Sequence, residues 1–274
     1  METGIFAKTY KGESVEEVFD KMTSQGIFYT QFNLSCAGIE SLPKQIAEEK
    51  LKEIREAAAK YKVHMAALSG TFNMIDIDIR KREDGCKRFH EVCRAADYLD
   101  IPIVTLCTGS RHPEDKWTWH PDNDSNAAWE DLLATTEIIL KDAEEYNLML
   151  GIEIEASNII NSPERARKYI DTFSGNRLKI IMDGANLFLP HQVNEMKKTL
   201  QHAFEIVGKD IVLAHGKDLF LDETISFGAA GKGILDFEEY IGLLKEYGYD
   251  GAVIMHGLEE EQVPESKKYL EGFF

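Results

Sequence analysis

Short apolar runs alternate with longer amphipathic runs from one end of the chain to the other. The apolar runs are GIFAKT (4–9), GIFYTQFN (26–33), VHMAAL (63–68), IPIVTLC (101–107), LMLGIE (148–153), LKIIMD (178–183), IVLAH (211–215) and AVIMH (252–256). They are short, often apolar at consecutive positions, and bounded by Gly, Asn or Asp. That pattern predicts parallel strands buried on both faces. Between them, apolar residues recur at helical spacing: Ile46, Leu51, Ile54 and Ala58 within 44–61, and Phe89, Val92 and Ala96 within 80–98. Ser14 and Glu17 have the spacing of a capping box and open SVEEVFDKMTSQ as a helix. Further helices are predicted near 125–146, 162–173, 192–207, 236–247 and 264–272. Ser162-Pro163 and Val263-Pro264 place a proline in the first turn of two of them.

Eight strands alternating with eight helices predict an α/β fold, a single (β/α)₈ TIM barrel spanning 1–274. No Pro/Gly/Ser-rich linker divides the chain. A doubly wound open sheet is the alternative, and no GxGxxG follows a strand to support its dinucleotide-binding form. Two connections are too long for plain turns: TGSRHPEDKWTWHPDNDSN (108–126) and KDLFLDETISFGAAGKGILD (217–236). Long βα loops of a barrel usually build its active site.

The 274 residues slightly exceed the ~250 of one such barrel, and 43% hydrophobic content suffices for its core. No apolar run approaches the ~18 residues of a membrane span. The N-terminal METGIFAKTYKGES has no basic start followed by a long apolar stretch, so no signal peptide is expected. Cys36, Cys86, Cys93 and Cys107 form no CxxC pair and read as reduced thiols of a cytoplasmic protein. The formal net charge of −17 argues against a nucleic-acid partner and against docking on anionic membranes.

Four apolar runs end in metal-type side chains: Glu153, Asp183, His215 and His256. In a parallel barrel these ends converge on one rim, where such donors suit a divalent cation. Two carboxylates and two histidines fit Mn²⁺, Co²⁺ or Zn²⁺ better than Ca²⁺, with Mg²⁺ also admitted. Glu155 shares a face with Glu153 and is a substrate-binding or supporting group. Asp183 precedes Gly184, so a plain turn Asp is its bland alternative. Lys217 either holds a substrate oxyanion or phosphate, or pairs with Asp218. His256 is a ligand or a proton-transfer group. Trp117, Trp119 and His120 read as a pocket wall for the C–H face of a sugar, or as loop packing. His64, His90, His191 and His202 read as ordinary residues.

The stretches SGTFNMID (69–76), TLCTGSRHPEDKWTWHPDN (105–123), GIEIEASN (151–158), IMDGANLF (181–188), LAHGKDL (213–219), GKGILDF (231–237) and GYDGAVIMHG (248–257) together resemble the xylose-isomerase-like TIM-barrel superfamily. Within it they are similar to the sugar (phosphate) isomerase/epimerase group. The resemblance implies a divalent metal on Glu153, Asp183, His215 and a fourth ligand from the last strand. That fourth ligand is usually a glutamate, which is also one of two acid/base groups; here His256 stands there. The second base then falls to His256, Lys217, Glu155 or Glu259. A substrate-contacting histidine three residues after the Asp is replaced by Asn186, and Asn73 lies in the first matching stretch as a further substrate contact. The implied substrate is a small-molecule sugar, keto-sugar or sugar phosphate. Isomerisation or epimerisation would proceed by proton abstraction next to a carbonyl, with Glu153 as base and a metal-stabilised enediolate. A homo-oligomer is also in keeping with the resemblance. Three alternatives share the barrel: a lyase that dehydrates a keto-sugar or keto-inositol, an endonuclease of the AP-endonuclease type disfavoured by the charge, and a non-catalytic metal- or sugar-binding barrel.

Overall fold

The two-sided apolar runs become strands and the amphipathic runs become helices packed around them in a computed structural model that describes residues 1–274. In chain order the elements are β1 (Glu2–Phe6), α1 (Val15–Ser24), β2 (Tyr29–Phe32), α2 (Glu48–Tyr61), β3 (His64–Ser69), α3 (Ile79–Tyr98), β4 (Ile103–Leu106), α4 (Asn126–Glu145), β5 (Met149–Glu153), α5 (Pro163–Thr172), β6 (Leu178–Asp183), α6 (Met196–Val207), β7 (Ile211–Leu221), β8 (Ile225–Ala229), α7 (Phe237–Glu246), β9 (Ala252–Met255) and α8 (Val263–Glu271). Strands β1 to β7 and β9 are parallel, and pairing of β6 with β7 and of β9 with both β7 and β1 closes them into an eight-stranded barrel. The expected (β/α)₈ TIM barrel is therefore the fold.

Two apolar layers hold it. The larger lies between the strands and the surrounding helices, a continuous cluster of 68 buried residues. The smaller fills the barrel lumen with Ala67, Ile103, Ile181, Leu213, Ala252 and Ile254. Side chains alternate along a strand, so each lumen residue fixes which neighbours face inward. Ile181, Leu213 and Ile254 lie two residues below Asp183, His215 and His256. The apolar floor and the polar rim are thus one pattern of period two. At Gly151, two residues below Glu153, a Cβ would come within 2.7 Å of Ile181 Cγ1, so that floor position admits no side chain.

The structure departs from the sequence reading in several places. Residues 7–9 form a 3₁₀ turn after a first strand that ends at Phe6, rather than continuing it. The second helix starts at Glu48 instead of 44. The stretch 217–236 is not an irregular loop: β7 continues to Leu221 and folds back as β8 in an antiparallel hairpin above the barrel. Phe220, Ile225 and Phe227 give this hairpin β-favouring side chains, a signal masked by the Gly-rich segment behind them. At α1, Ser14 Oγ accepts from Glu17 N as expected, but the Glu17 carboxylate turns back to Glu13 N, one residue before the cap. The terminal aromatics fold onto the chain itself, with Phe273 stacked on Phe237 at 6.5 Å.

No helix is long and apolar enough to cross a membrane. The four cysteines are free and buried.

Candidate active site

Strand alternation brings Glu153, Asp183, His215 and His256 together at the C-terminal rim. One donor atom from each lies within 4.8 Å of all the others. His215 Nδ1 is 3.3 Å from Glu153 Oε1 and 3.5 Å from Asp183 Oδ2. His256 Nε2 is 2.9 Å from the same Asp183 oxygen. The two imidazoles pack edge to face at 4.5 Å. Asp183 has two roles at once: Oδ1 accepts from Ala185 N at 3.0 Å to start the turn, and Oδ2 faces the cluster. The turn reading of this residue is thus correct for one oxygen only.

The second ring nitrogen of His215 contacts Gln31 Oε1 at 2.9 Å. An amide oxygen only accepts, so Nε2 carries a proton, and in the neutral ring Nδ1 then presents a lone pair. That Nδ1 is buried and has no hydrogen-bond partner. A lone pair aimed at two carboxylates is unfavourable unless a proton or a cation lies among them. Burial opposes protonation of His215, yet Glu153 and Asp183 outweigh it and push its pKa up to about 9. A divalent cation would supply that positive charge and meet all four donors. With metal–ligand bonds of about 2.1 Å, adjacent donors sit about 3.0–3.4 Å apart, close to the 2.9, 3.3 and 3.5 Å separations here. The residues therefore fit a metal. Gln31 supplies the outer hydrogen bond that orients such a ligand histidine.

Two further groups tune the cluster. Lys217 faces inward from β7, with Nζ 3.1 Å from Asp183 Oδ2 and 2.6 Å from Asn186 Oδ1. Adjacent residues of an extended strand point opposite ways, so Lys217 and Asp218 do not pair. Asp218 instead accepts from the backbone of Leu219, Gly231, Gly233 and Leu235 and pins the segment behind the hairpin. Burial disfavours a charged Asp183, but Lys217 and the two histidines hold its carboxyl well below the usual range. Burial, then Lys217 and His215, lower the pKa of His256. Burial, reinforced by Glu153, pushes Glu155 up to about 8.

Above the cluster opens a cavity of about 460 Å³. Glu153, Glu155, His215, His256 and Trp117 line it. The other sequence-derived candidates stand elsewhere. Asn186 is a strut: its amide donates to Glu153 Oε1 at 2.8 Å while its oxygen holds Lys217. Asn73 lies outside the cavity wall and ties down the long loop, donating to Ser110 O and accepting from Ser110 N. Gly109 permits this contact, because it has φ +85° and a Cβ there would lie 2.0 Å from Asn73 Oδ1. His120 is also outside the wall: its Nδ1 accepts from Asp122 N and caps a 3₁₀ turn. Glu259 is also outside the wall and begins another such turn. Sequence reasoning did not find Lys8, Gln31, Asn33, Ser69, Lys116 and Asn158, which also line the cavity. For Gln31 and Ser69 a signal existed: each is a polar residue within an apolar strand, a type rarely buried without a partner.

The model of the xylose isomerase-like TIM barrel family matches residues 29–273. An uncharacterized protein from Methanocaldococcus jannaschii is 23% identical over 283 aligned residues, which span all of this chain and 89% of that protein. Among solved structures, the apo form of the 3-keto-D-glucoside 4-epimerase of E. coli superimposes with a TM-score of 0.75 at 15% identity, covering 99% of each chain. The IolI protein with a bound zinc atom superimposes with a TM-score of 0.70 at 18% identity, covering 100% of this chain and 99% of its own. At these identities the two structures establish a shared fold.

Proposed function

The chain belongs to the xylose isomerase-like TIM barrel family, and from that premise we propose that it is a divalent-metal-dependent isomerase or epimerase of a sugar, keto-sugar or sugar phosphate. The observation that carries the reading is His215 Nδ1, a buried, unpartnered nitrogen facing Glu153 and Asp183 at the base of a sugar-sized cavity. The epimerase activity and the zinc atom of the two structural neighbours support it. Glu153, Asp183, His215 and His256 would hold the cation, and the mixed N/O donor set suits Mn²⁺, Co²⁺ or Zn²⁺. When bound, the cation stabilises negative charge developing on the substrate oxygens.

The protein's own groups do the rest. Glu153 takes the proton from the carbon beside the carbonyl, held in place by the Asn186 amide. Glu153 keeps that proton, and a second acid/base group must deliver its own to the other face or the neighbouring carbon. Lys217 is committed to Asp183 and Asn186, and Glu259 is outside the cavity. Glu155 takes that role where His256 holds the cation, and His256 takes it where the cation rests on the other three residues; both line the cavity. Trp117 offers an aromatic wall to the sugar C–H face, and its 46% exposure leaves the ring free to stack.

The test is metal content by elemental mass spectrometry for wild type and His256→Ala, followed by a ketose panel with product analysis. One equivalent of Mn, Co or Zn and mass-conserving turnover are expected. No metal after reconstitution would reject the reading in favour of a binding barrel. A product lighter by one water would reject it in favour of the dehydratase.

A further inference from the structure

The cavity wall is electrically divided. Around the closed barrel each strand faces the one four places away, so β1 lies across from β5 and β3 across from β7. All the carboxylates that line the cavity, Glu153 and Glu155, belong to the β5 side. The wall contributed by β1 to β4 and their loops contains no acidic residue and carries two lysines, Lys8 and Lys116.

Lys8 lies in the 3₁₀ turn directly after β1, across the mouth from Glu153. Lys116 belongs to the loop after β4, but its ammonium is carried over the end of β3, where Nζ donates to Thr71 O at 3.2 Å. That places it opposite the strand of His215. The carbonyl uses one of its three N–H donors, and the Trp117 ring lies 5.3 Å from the nitrogen. Neither lysine has a carboxylate within 4 Å. Lys8 is exposed and Lys116 half-buried, and both present positive charge to a cavity whose carboxylates stand on the opposite wall. Between them the wall adds further donors: Ser69, and Asn33, whose oxygen is used by Ser35 N and Ser41 while its NH₂ group makes no bond within the protein.

We propose that Lys8 and Lys116 form an anion subsite, so that the substrate is a sugar bearing a terminal oxyanion, either a phosphate ester or a carboxylate. The sugar part of this inference rests on the isomerase/epimerase reading above; the subsite itself does not. A hydroxy-carbonyl group would meet Glu153 and its neighbours, and the charged end of the same molecule would reach the two ammonium groups. A phosphate or carboxylate accepts several charge-assisted hydrogen bonds at once, which is what two lysines and an amide can supply. In the net negative field of the protein, a local pair of positive charges at the cavity favours an anion there over a neutral ligand.

The experiment is calorimetric titration of the metal-loaded protein with D-fructose 6-phosphate, D-fructuronate, D-fructose and inorganic phosphate. It compares wild type, Lys8→Met/Lys116→Met, Lys8→Arg/Lys116→Arg and the double Glu variant. At least one charged sugar is expected to bind about tenfold more tightly than D-fructose, the scale of one charge-assisted hydrogen bond. Which one it is separates a phosphate from a carboxylate. The ratio should fall to near one in the Met variant, persist in the Arg variant and invert in the Glu variant. Equal binding of neutral and charged sugars, or a preference that survives the Met variant, would overturn the inference. Inorganic phosphate decides the case in which no sugar binds: lysine-dependent binding supports the subsite, and its absence overturns it. Lysine-dependent phosphate binding without any sugar turnover would remove the isomerase reading and leave the subsite. Turnover of a neutral ketose without such binding would do the reverse.

Discussion

Gln31→Leu should weaken metal binding while leaving the fold intact. Gln31 is not itself a proposed ligand; it accepts a hydrogen bond from the ligand residue His215, through Nε2 at 2.9 Å, in a site where both residues are buried. Leucine fills a similar volume but cannot accept. The Nε2 proton is then left without a partner, a loss of about 1–3 kcal/mol for a buried group. The ring can escape that loss by moving its proton to Nδ1, where Glu153 Oε1 at 3.3 Å and Asp183 Oδ2 at 3.5 Å accept it. The escape removes the lone pair that a cation needs. Metal affinity should therefore drop by the same 1–3 kcal/mol, roughly 5- to 150-fold. That range contains the ten- to hundredfold losses common when the outer partner of a ligand histidine is removed. Competition with a chromophoric chelator gives the affinity of wild type, Gln31→Leu and Gln31→Glu. The Glu variant keeps an acceptor and should stay at or above wild-type affinity. Equal metal affinity in wild type and Gln31→Leu, with His215 still bound to the cation by NMR, would refute the argument from the tautomer.

Glu153→Gln should lower kcat by about 10²- to 10⁴-fold, the contribution of a positioned base, with an unchanged far-UV spectrum; steady-state kinetics on the substrate found in the ketose panel checks it. Chelation should lower the melting temperature, because a cation at a hundredfold excess over its Kd stabilises the fold by about 2.7 kcal/mol; scanning calorimetry with and without EDTA measures the shift. Asp131→Ala should destabilise the protein by about 1–3 kcal/mol, because two largely buried guanidiniums lose their half-buried carboxylate partner. Asp131 holds both Arg82 and Arg111, and the Arg111 side chain is only 7% exposed; urea unfolding provides the measurement. Gly151→Ala should cost about 1–3 kcal/mol by overpacking against Ile181, and Ile181→Val should recover part of it in the same assay.

The order of strands and helices, the barrel and the four rim residues were legible in the sequence, because each depends on a local pattern. Period-two and period-3.6 spacing set the elements, and the last apolar residue of a run marks where a parallel strand delivers its next side chain to the rim. The hairpin after Lys217 was not legible, since a Gly-rich segment reads as loop whether or not the strand before it folds back. The partners of the site residues were not legible either. Gln31 and His215 are 184 positions apart and meet only because β9 pairs with both β1 and β7 and closes the ring. Lys217 reaches Asp183 rather than Asp218 because strand geometry, not sequence adjacency, chooses its neighbour. Lys8 and Lys116 look like two ordinary surface lysines until the loops above β1 and β4 bring them to one cavity. The sequence by itself determined which side chains each element presents and on which face. Barrel closure decided which of them touch, because contacts across the lumen join residues far apart in the chain and leave no local trace.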